Sequence, residues 1–301
     1  VQVLNLLPFQ LSTNNYKKFS DKDIFNLIFK FIGLLDGDGY IEIGPQKQYN
    51  KNIDNKPKST IRIRIVLILH KNDKELLELL KTNLKIGKLD ELKTKNQYRL
   101  ILYKKDIVDV IYPFLQNNNI EFLTYNRRKQ YFLLKYIIEN NIKHWENIEL
   151  NEIENLFKKS NKKLEFTEII NLKYFNNWLV GFTIAEGSFH TKTKGTAHFS
   201  IVQSGLENYQ IIKAIHYFIK GPDSLNHQIK PENSKIYRIS FSSKKDLDFI
   251  INFFEKNKLL GLKKLQYDNW KSYIISKNNH SAPNVILDKV SNNENINYSR
   301  R

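Results

Sequence analysis

One short pattern occurs twice in this sequence. Phe31-Ile-Gly-Leu-Leu-Asp-Gly-Asp-Gly39-Tyr40 and Leu179-Val-Gly-Phe-Thr-Ile-Ala-Glu-Gly187-Ser188 each carry an apolar, helix-compatible run into a small residue, an acid and a glycine. Each is followed by a strand-like stretch. Further matches come in the same order: Leu84-Lys-Ile-Gly87 with Phe218-Ile-Lys-Gly221, Gln97-Tyr-Arg99 with Ile236-Tyr-Arg238, and Leu123 to Tyr131 with Leu259 to Tyr267. One match would be chance; four in order read as two copies of one unit. The first copy is about 14 residues longer between acid and glycine. Pro45 to Ser59, lysine-rich with two prolines, reads as a long hairpin loop that holds the excess.

Each copy reads α-β-β-α-β-β-α, so the expected fold class is α+β with two pseudo-symmetric αββαββα lobes. In the first copy a helix is expected over about 22–37 and strands over 39–44 and 60–69. A helix over 72–84 follows, because leucines recur at helical spacing after Asn72, read as its cap. Strands over 87–92 and 97–103 and helices over 106–117 and 126–140 complete it, and the second copy repeats the order from about 174 to 277. The domain reading is an extension at 1–21, a lobe at 22–140, a linker at 141–172 with a short helix at 149–158, a lobe at 173–277 and a tail at 278–301.

Composition narrows the partner. With 301 residues, 41% apolar and 13% aromatic, the chain can bury two cores. Its formal charge of +17 favours a polyanion. No run of about 18 apolar residues exists to span a membrane, and the basic residues are spread rather than gathered on one amphipathic helix. Val1 to Pro8 is apolar but short and lacks the basic start of a signal peptide. Without cysteine, any metal is held by oxygen or histidine, and carboxylates favour a hard cation such as Mg²⁺.

Gly33 and Gly37 are four apart, as are Gly181 and Ala185. Small residues at that spacing share a helical face and let two backbones approach closely. Helices packed there would bring Asp38 and Glu186 side by side, where repulsion between carboxylates is relieved by divalent cations. That is the arrangement metal-assisted phosphodiester hydrolysis needs. An isolated Asp-Gly would be a turn. An EF-hand loop is excluded by register: with Gly39 at loop position 6, Leu34 and Pro45 fall where carboxylates are required.

The paired motifs resemble those of LAGLIDADG homing endonucleases, of the single-chain, two-motif type encoded in fungal mitochondrial group I introns. The similarity runs from about 22 to 277. It implies a saddle of two lobes over double-stranded DNA with a long asymmetric target site, a monomer, and Mg²⁺ (Mn²⁺ or Ca²⁺ substituting for binding) between the motif helices. The resemblance assigns the catalytic acids to Asp38 and Glu186, and further metal binding to the carbonyls of Gly37 and Ala185. It matches Arg127 and Lys263 to a basic residue near each scissile phosphate, with Arg127 departing from the commoner lysine. Gln203 matches a water-positioning glutamine whose first-copy counterpart is Leu69. Mitochondrial, intron-encoded origin is also implied, in keeping with residues of A/T-rich codons. Some members are instead, or also, maturases that bind group I intron RNA; a DNA-binding regulator on the same scaffold would be expected to lack an acid.

Alternate strand residues share a face. Counting from the acids gives Tyr40, Glu42 and Gly44 in one copy and Ser188, His190, Lys192 and Lys194 in the other. Thr60, Arg62, Arg64 and Val66 alternate with apolar residues on the next strand. With Lys88, Arg99, His198 and Arg238 they form a candidate DNA face, able to enter a major groove. The remaining histidines (His70, His144, His216, His227 and His280) have no metal-like spacing, and Trp178 and Trp270 read as core.

Overall fold

A computed structural model describes residues 21–46, 59–161, 163–191, 196–226, 228–233 and 235–279. Most of the expected hairpin loop lies outside these residues, as do Lys192, Lys194, His227, His280 and the two chain ends.

The first helix, α1 (Asp21–Asp38), buries Ile24, Leu27, Ile28, Phe31, Ile32, Leu34 and Leu35. Such an all-round apolar surface is that of a helix inside a core. Its last residue is Asp38, and β1 (Gly39–Gln46) begins at once. The strand β2 (Thr60–His70) returns antiparallel, placing Tyr40 opposite Val66 and Glu42 opposite Arg64. A 3-10 turn, Lys71–Asp73, leads to α2 (Lys74–Leu84), which buries Leu76, Leu77, Leu80 and Leu84. Next, β3 (Lys88–Leu92) and β4 (Gln97–Tyr103) complete a sheet of order β1-β2-β4-β3. A helical stretch follows: α3 (Lys104–Asp106), a π turn at Ile107–Ile111, and α4 (Tyr112–Asn117). The first lobe closes with α5 (Tyr125–Glu139).

The expected linker holds two helices, α6 (Leu150–Ser160) and α7 (Phe166–Ile170). Phe157 of α6 packs on Tyr125 and Phe132 of α5, with ring centroids 5.5 Å apart in both pairs. The second lobe repeats the first as α8 (Phe175–Glu186), β5 (Gly187–Thr191), β6 (Ala197–Ser204), α9 (Tyr209–Lys220), β7 (Ile236–Phe241), α10 (Lys244–Lys256) and α11 (Gly261–Asn279). Phe166 of α7 packs on Tyr217 of α9 at 5.2 Å.

Two expectations are corrected. The second sheet has three strands among the described residues, in order β5-β6-β7, not four. The segment matching β3 is bounded by Pro222, which opens a 3-10 turn (Pro222–Ser224), and Pro231. Proline donates no hydrogen bond to a ladder. Nor is Asn72 the cap of α2. It lies inside the 3-10 turn and donates its backbone N–H to His70 Nδ1 at 3.3 Å. Asp73 takes the cap position, but its carboxylate serves the other lobe instead.

The lobes meet along α1 and α8. A Cβ added to Gly33 would lie 2.0 Å from the Trp178 carbonyl oxygen, and one on Gly181 would lie 1.8 Å from that of Lys30. One on Gly37 would lie 2.3 Å from the Ala185 Cβ. All four small residues of the two motifs therefore form the seam, where backbone packs directly on backbone.

A buried acid ties the seam to its surroundings. Asp36, 3% exposed, accepts from the Trp178 indole Nε1 across the seam at 2.7 Å. It also accepts from the Leu123 and Thr124 backbone N–H groups at 2.9 and 3.0 Å and from the Thr124 hydroxyl at 2.6 Å. Burial pushes its carboxyl above the usual range, and these donors pull it back. Trp178→Phe removes one donor from a buried carboxylate. The expected loss is roughly 1.5–3 kcal/mol, read as a lower urea midpoint; an unchanged midpoint would show that this bond does not hold the seam.

Candidate active site

Because each motif helix ends on its acid, packing the helices side by side brings the acids to one end of the seam. A Cβ on Gly37 would lie 3.2 Å from Glu186 Cγ, so the side chain of one acid runs beside the residue preceding the other. Asp38 is exposed and Glu186 half-buried.

A basic side chain is fixed at each helix tip. Arg127, in the first turn of α5, donates from Nε to the Leu35 carbonyl at 2.9 Å and from Nη1 to Gln130 Oε1 at 2.7 Å. Gln130 Oε1 also accepts from the N–H of Ile41 at 2.9 Å, satisfying the open edge of β1. Burial pulls the Arg127 guanidinium below its ordinary value, while Asp36 and then Asp38 oppose this. An arginine so placed keeps its charge. Lys263, in the first turn of α11, donates to the carbonyl of Gly187, the residue after Glu186, at 2.8 Å.

Gln203 ends up on the core-facing side of β6, with Phe199 and Ile201. Its Nε2 donates to the Ser204 carbonyl at 3.3 Å, and its Oε1 is buried with no protein partner. Asn208 donates to the same carbonyl at 2.8 Å and accepts from the Tyr125 N–H at 2.9 Å. Through this shared carbonyl and Asn208, the Gln203 end of β6 is linked to the N-terminus of α5. Its counterpart Leu69 is simply buried core, so the two halves differ here.

The ladder pairings decide which strand residues share the outer face. Arg62 and Arg64 lie opposite Gly44 and Glu42, Arg99 lies opposite Ile68 and Asp90, and Lys88 lies opposite Ile101. All four basic residues therefore share one face of the first sheet. Ser188, His190, His198 and Arg238 share the matching face of the second. Val66, counted on this face from sequence, is nevertheless buried, as is its neighbour Ile101. The cations are held by carboxylates. Arg62 and Arg64 share Glu42 at 2.8 and 3.8 Å, Lys88 and Arg99 share Asp90 at 3.0 and 3.4 Å, and Arg238 meets Glu232 at 3.0 Å. Such surface pairs are weak and readily exchanged. His190 lies 5.3 Å from His198 between ring centroids, and burial, Lys263 and Arg238 all pull its imidazole below the usual value.

A family model described as LAGLIDADG endonuclease matches residues 31–138 and 179–274, about two thirds of the chain. The chain belongs to the LAGLIDADG endonuclease family. Both matched spans contain one motif acid and its basic neighbour. Among curated proteins, a probable intron-encoded endonuclease aI3 of Dictyostelium discoideum is 28% identical over 80% of this chain and 94% of its own length. A probable intron-encoded endonuclease Cox1-I1b of Schizosaccharomyces pombe is 30% identical over 79% of this chain and 62% of its own. Among solved structures, the I-LtrWI LAGLIDADG homing endonuclease bound to target DNA superposes with a TM-score of 0.62 at 22% identity, covering 85% of this chain and 92% of that one. The meganuclease I-CpaMI bound to uncleaved DNA gives 0.60 at 19%, covering 84% and 93%. These two likenesses establish the shared fold.

Sequence reading missed Asp36, Asp73, Gln130 and Asn208. The acid-Gly-acid run hid Asp36, because only one of its two acids was read as having a function. Asp73 and Asn208 gave no signal, since their partners lie more than 80 residues away in the chain.

Proposed function

We propose that this endonuclease hydrolyses both strands of a long, asymmetric duplex target as a monomer, using Mg²⁺, and that it is encoded in a mitochondrial group I intron whose mobility it starts. The observation that carries the reading is the meeting of two acid-tipped helices, each with a tethered cation beside it. Among the described residues no group of three or more His, Asp or Glu gathers as a metal site. The two carboxylates at the helix tips fit Mg²⁺, which is held by one or two carboxylates together with substrate phosphate and water. Asp38 and Glu186, with the carbonyls of Gly37 and Ala185, would hold it. When bound it would polarise the scissile phosphate and generate hydroxide from water. Arg127 and Lys263 would each bind one scissile phosphate, and the buried Oε1 of Gln203 would orient a water in the half that contains Arg127. Arg62, Arg64, Lys88, Arg99, Ser188, His190, His198 and Arg238 would contact the duplex, exchanging their carboxylate partners for phosphates or guanine edges.

The test is cleavage of a duplex carrying the intron-insertion sequence. Mg²⁺ should support cutting of both strands, and a chelator should stop it without releasing the DNA. Affinity should fall by about 10³-fold between 50 and 200 mM salt if some six or more phosphates are contacted. Cutting in chelator, or affinity indifferent to salt, would refute the reading.

A further inference from the structure

Each helix that carries a basic residue is capped by the opposite lobe. The N–H of Leu262, in the first turn of α11, donates to Asp73 Oδ1 at 2.7 Å, and Asp73 belongs to the first lobe. The N–H of Tyr125, the first residue of α5, donates to Asn208 Oδ1 at 2.9 Å, and Asn208 belongs to the second. Asp73 and Asn208 occupy the same place in their lobes, at the end of the 3-10 turn that follows the second strand. The arrangement is reciprocal and follows the pseudo-twofold relation of the lobes.

Other features of the chain accommodate these contacts. The first N–H groups of a helix lack partners within it, and an acceptor there fixes how the first turn sits. Thr124, the residue before α5, makes no side-chain cap bond, and its hydroxyl is directed at Asp36. Asn208 is 4% exposed and held at its other end by the Ser204 carbonyl. At α11 the approach is so close that a Cβ on Gly261 would lie 2.3 Å from Asp73 Oδ1, and Gly261 has φ +60°, where glycine is favoured. Lys263 follows Leu262 directly, and Arg127 is two residues after Tyr125. Burial pushes the Asp73 carboxyl up, while the Leu262 N–H and the Lys263 ammonium pull it down, so its charge and that of Lys263 are felt together.

We infer that Asp73 and Asn208 are positioning residues for cleavage, each setting the basic residue of the opposite lobe and, through it, the cut in one strand. The inference rests on the proposed roles of Arg127 and Lys263. Its consequence is that neither half of the site is complete within its own lobe. The lobe that presents Glu186 depends on Asp73 of its partner lobe to aim Lys263, and the lobe that presents Asp38 depends on Asn208 to aim Arg127.

The test measures each strand separately under single-turnover conditions, on a target duplex labelled differently on its two strands. Lys263→Ala and Arg127→Ala identify which strand each basic residue serves. Asp73→Ala should slow the Lys263 strand roughly ten- to hundredfold more than the other, the scale of an ångström-sized misplacement. Asn208→Ala should do the same to the Arg127 strand. Asp73→Asn, which keeps an oxygen acceptor, should recover most of the lost rate. Equal slowing of both strands by Asp73→Ala and by Asn208→Ala would reduce the caps to fold stability and overturn the inference. If Asp73→Ala does not fold, Asp73→Ser, whose shorter acceptor cannot span the same gap, decides by the same strand ratio. A strand bias absent from Lys263→Ala and Arg127→Ala themselves would overturn the assignment of the basic pair, and the inference with it; a bias present there and absent from the cap variants overturns the inference alone.

Discussion

Asp38→Asn and Glu186→Gln are each expected to abolish double-strand cleavage while leaving duplex binding within a fewfold of the native protein. The reasoning starts from where the two acids stand. They are the last residues of α1 and α8, and the seam between those helices admits no side chain at Gly33 or Gly181, so the tips cannot separate without opening the core. Each substitution keeps the shape of the side chain and removes its charge. The seam is unaffected, and so is the array of Arg62, Arg64, Lys88, Arg99 and Arg238 that would hold the duplex. What would be lost is the proposed charged ligand for a divalent cation, and with it the several kcal/mol of transition-state stabilisation such a metal would supply, about 10³-fold or more in rate. Binding and cleavage are therefore expected to separate: a mobility shift unchanged, cleaved product absent. Because the pair sits at a shared junction, one missing charge should impair both strands. A variant that cuts both strands at the native rate would remove these acids from the chemistry altogether.

Which parts of this protein could be read from its sequence depends on how far apart the interacting residues lie. The motif helices, the acids at their tips and the small-residue faces were legible because each is a local pattern, and because the second copy repeats it. The strand faces were legible for the same reason: Arg62 and Arg64 alternate with Ile61, Ile63 and Ile65, and a period of two fixes which side is buried. Val66 broke the alternation, since its burial depends on what lies over the sheet rather than on its own strand. Symmetry, useful for finding the copies, misled at the fourth strand of the second sheet. There Pro222 and Pro231 were visible signals that the pattern of the first copy would not recur. Cross-lobe contacts were out of reach. Asp36 meets Trp178, Asp73 meets Leu262 and Asn208 meets Tyr125 only because two lobes dock, and no spacing rule connects such residues. Asn72 is not the cap that its residue type suggests, and Asp73, which holds that position, has its carboxylate committed to the other lobe.

The seam itself yields the second large effect, and here two known contributions have opposite signs. In an exposed helix, glycine to alanine is stabilising by up to about 1 kcal/mol, from propensity alone. Gly33→Ala and Gly181→Ala are expected to do the reverse. Their added Cβ atoms would sit 2.0 and 1.8 Å from carbonyl oxygens of the facing helix, and the obstacle is backbone, which cannot turn aside as a side chain can. The helices must move apart by an ångström or more, against buried Leu34, Trp178 and Phe182 packed on both sides. Overpacking in a tight core typically costs about 1–3 kcal/mol and sometimes more, and a clash with main chain lies at the upper end. At least about 3 kcal/mol is expected, lowering the Tm by roughly 5 °C or more for a protein of this size. Gly44→Ala is the control. Its nearest neighbour would be the Arg62 guanidinium at 3.8 Å, an ordinary contact, so its Tm should stay within about 2 °C. Cleavage by either seam variant should fall even at temperatures where it stays folded, because the wedge lies one or two turns from the acids and small displacements of reacting groups are costly. A Gly33→Ala protein that melts at or above the native temperature would mean that α1 and α8 do not pack backbone to backbone, and the acids would then have no reason to share a site.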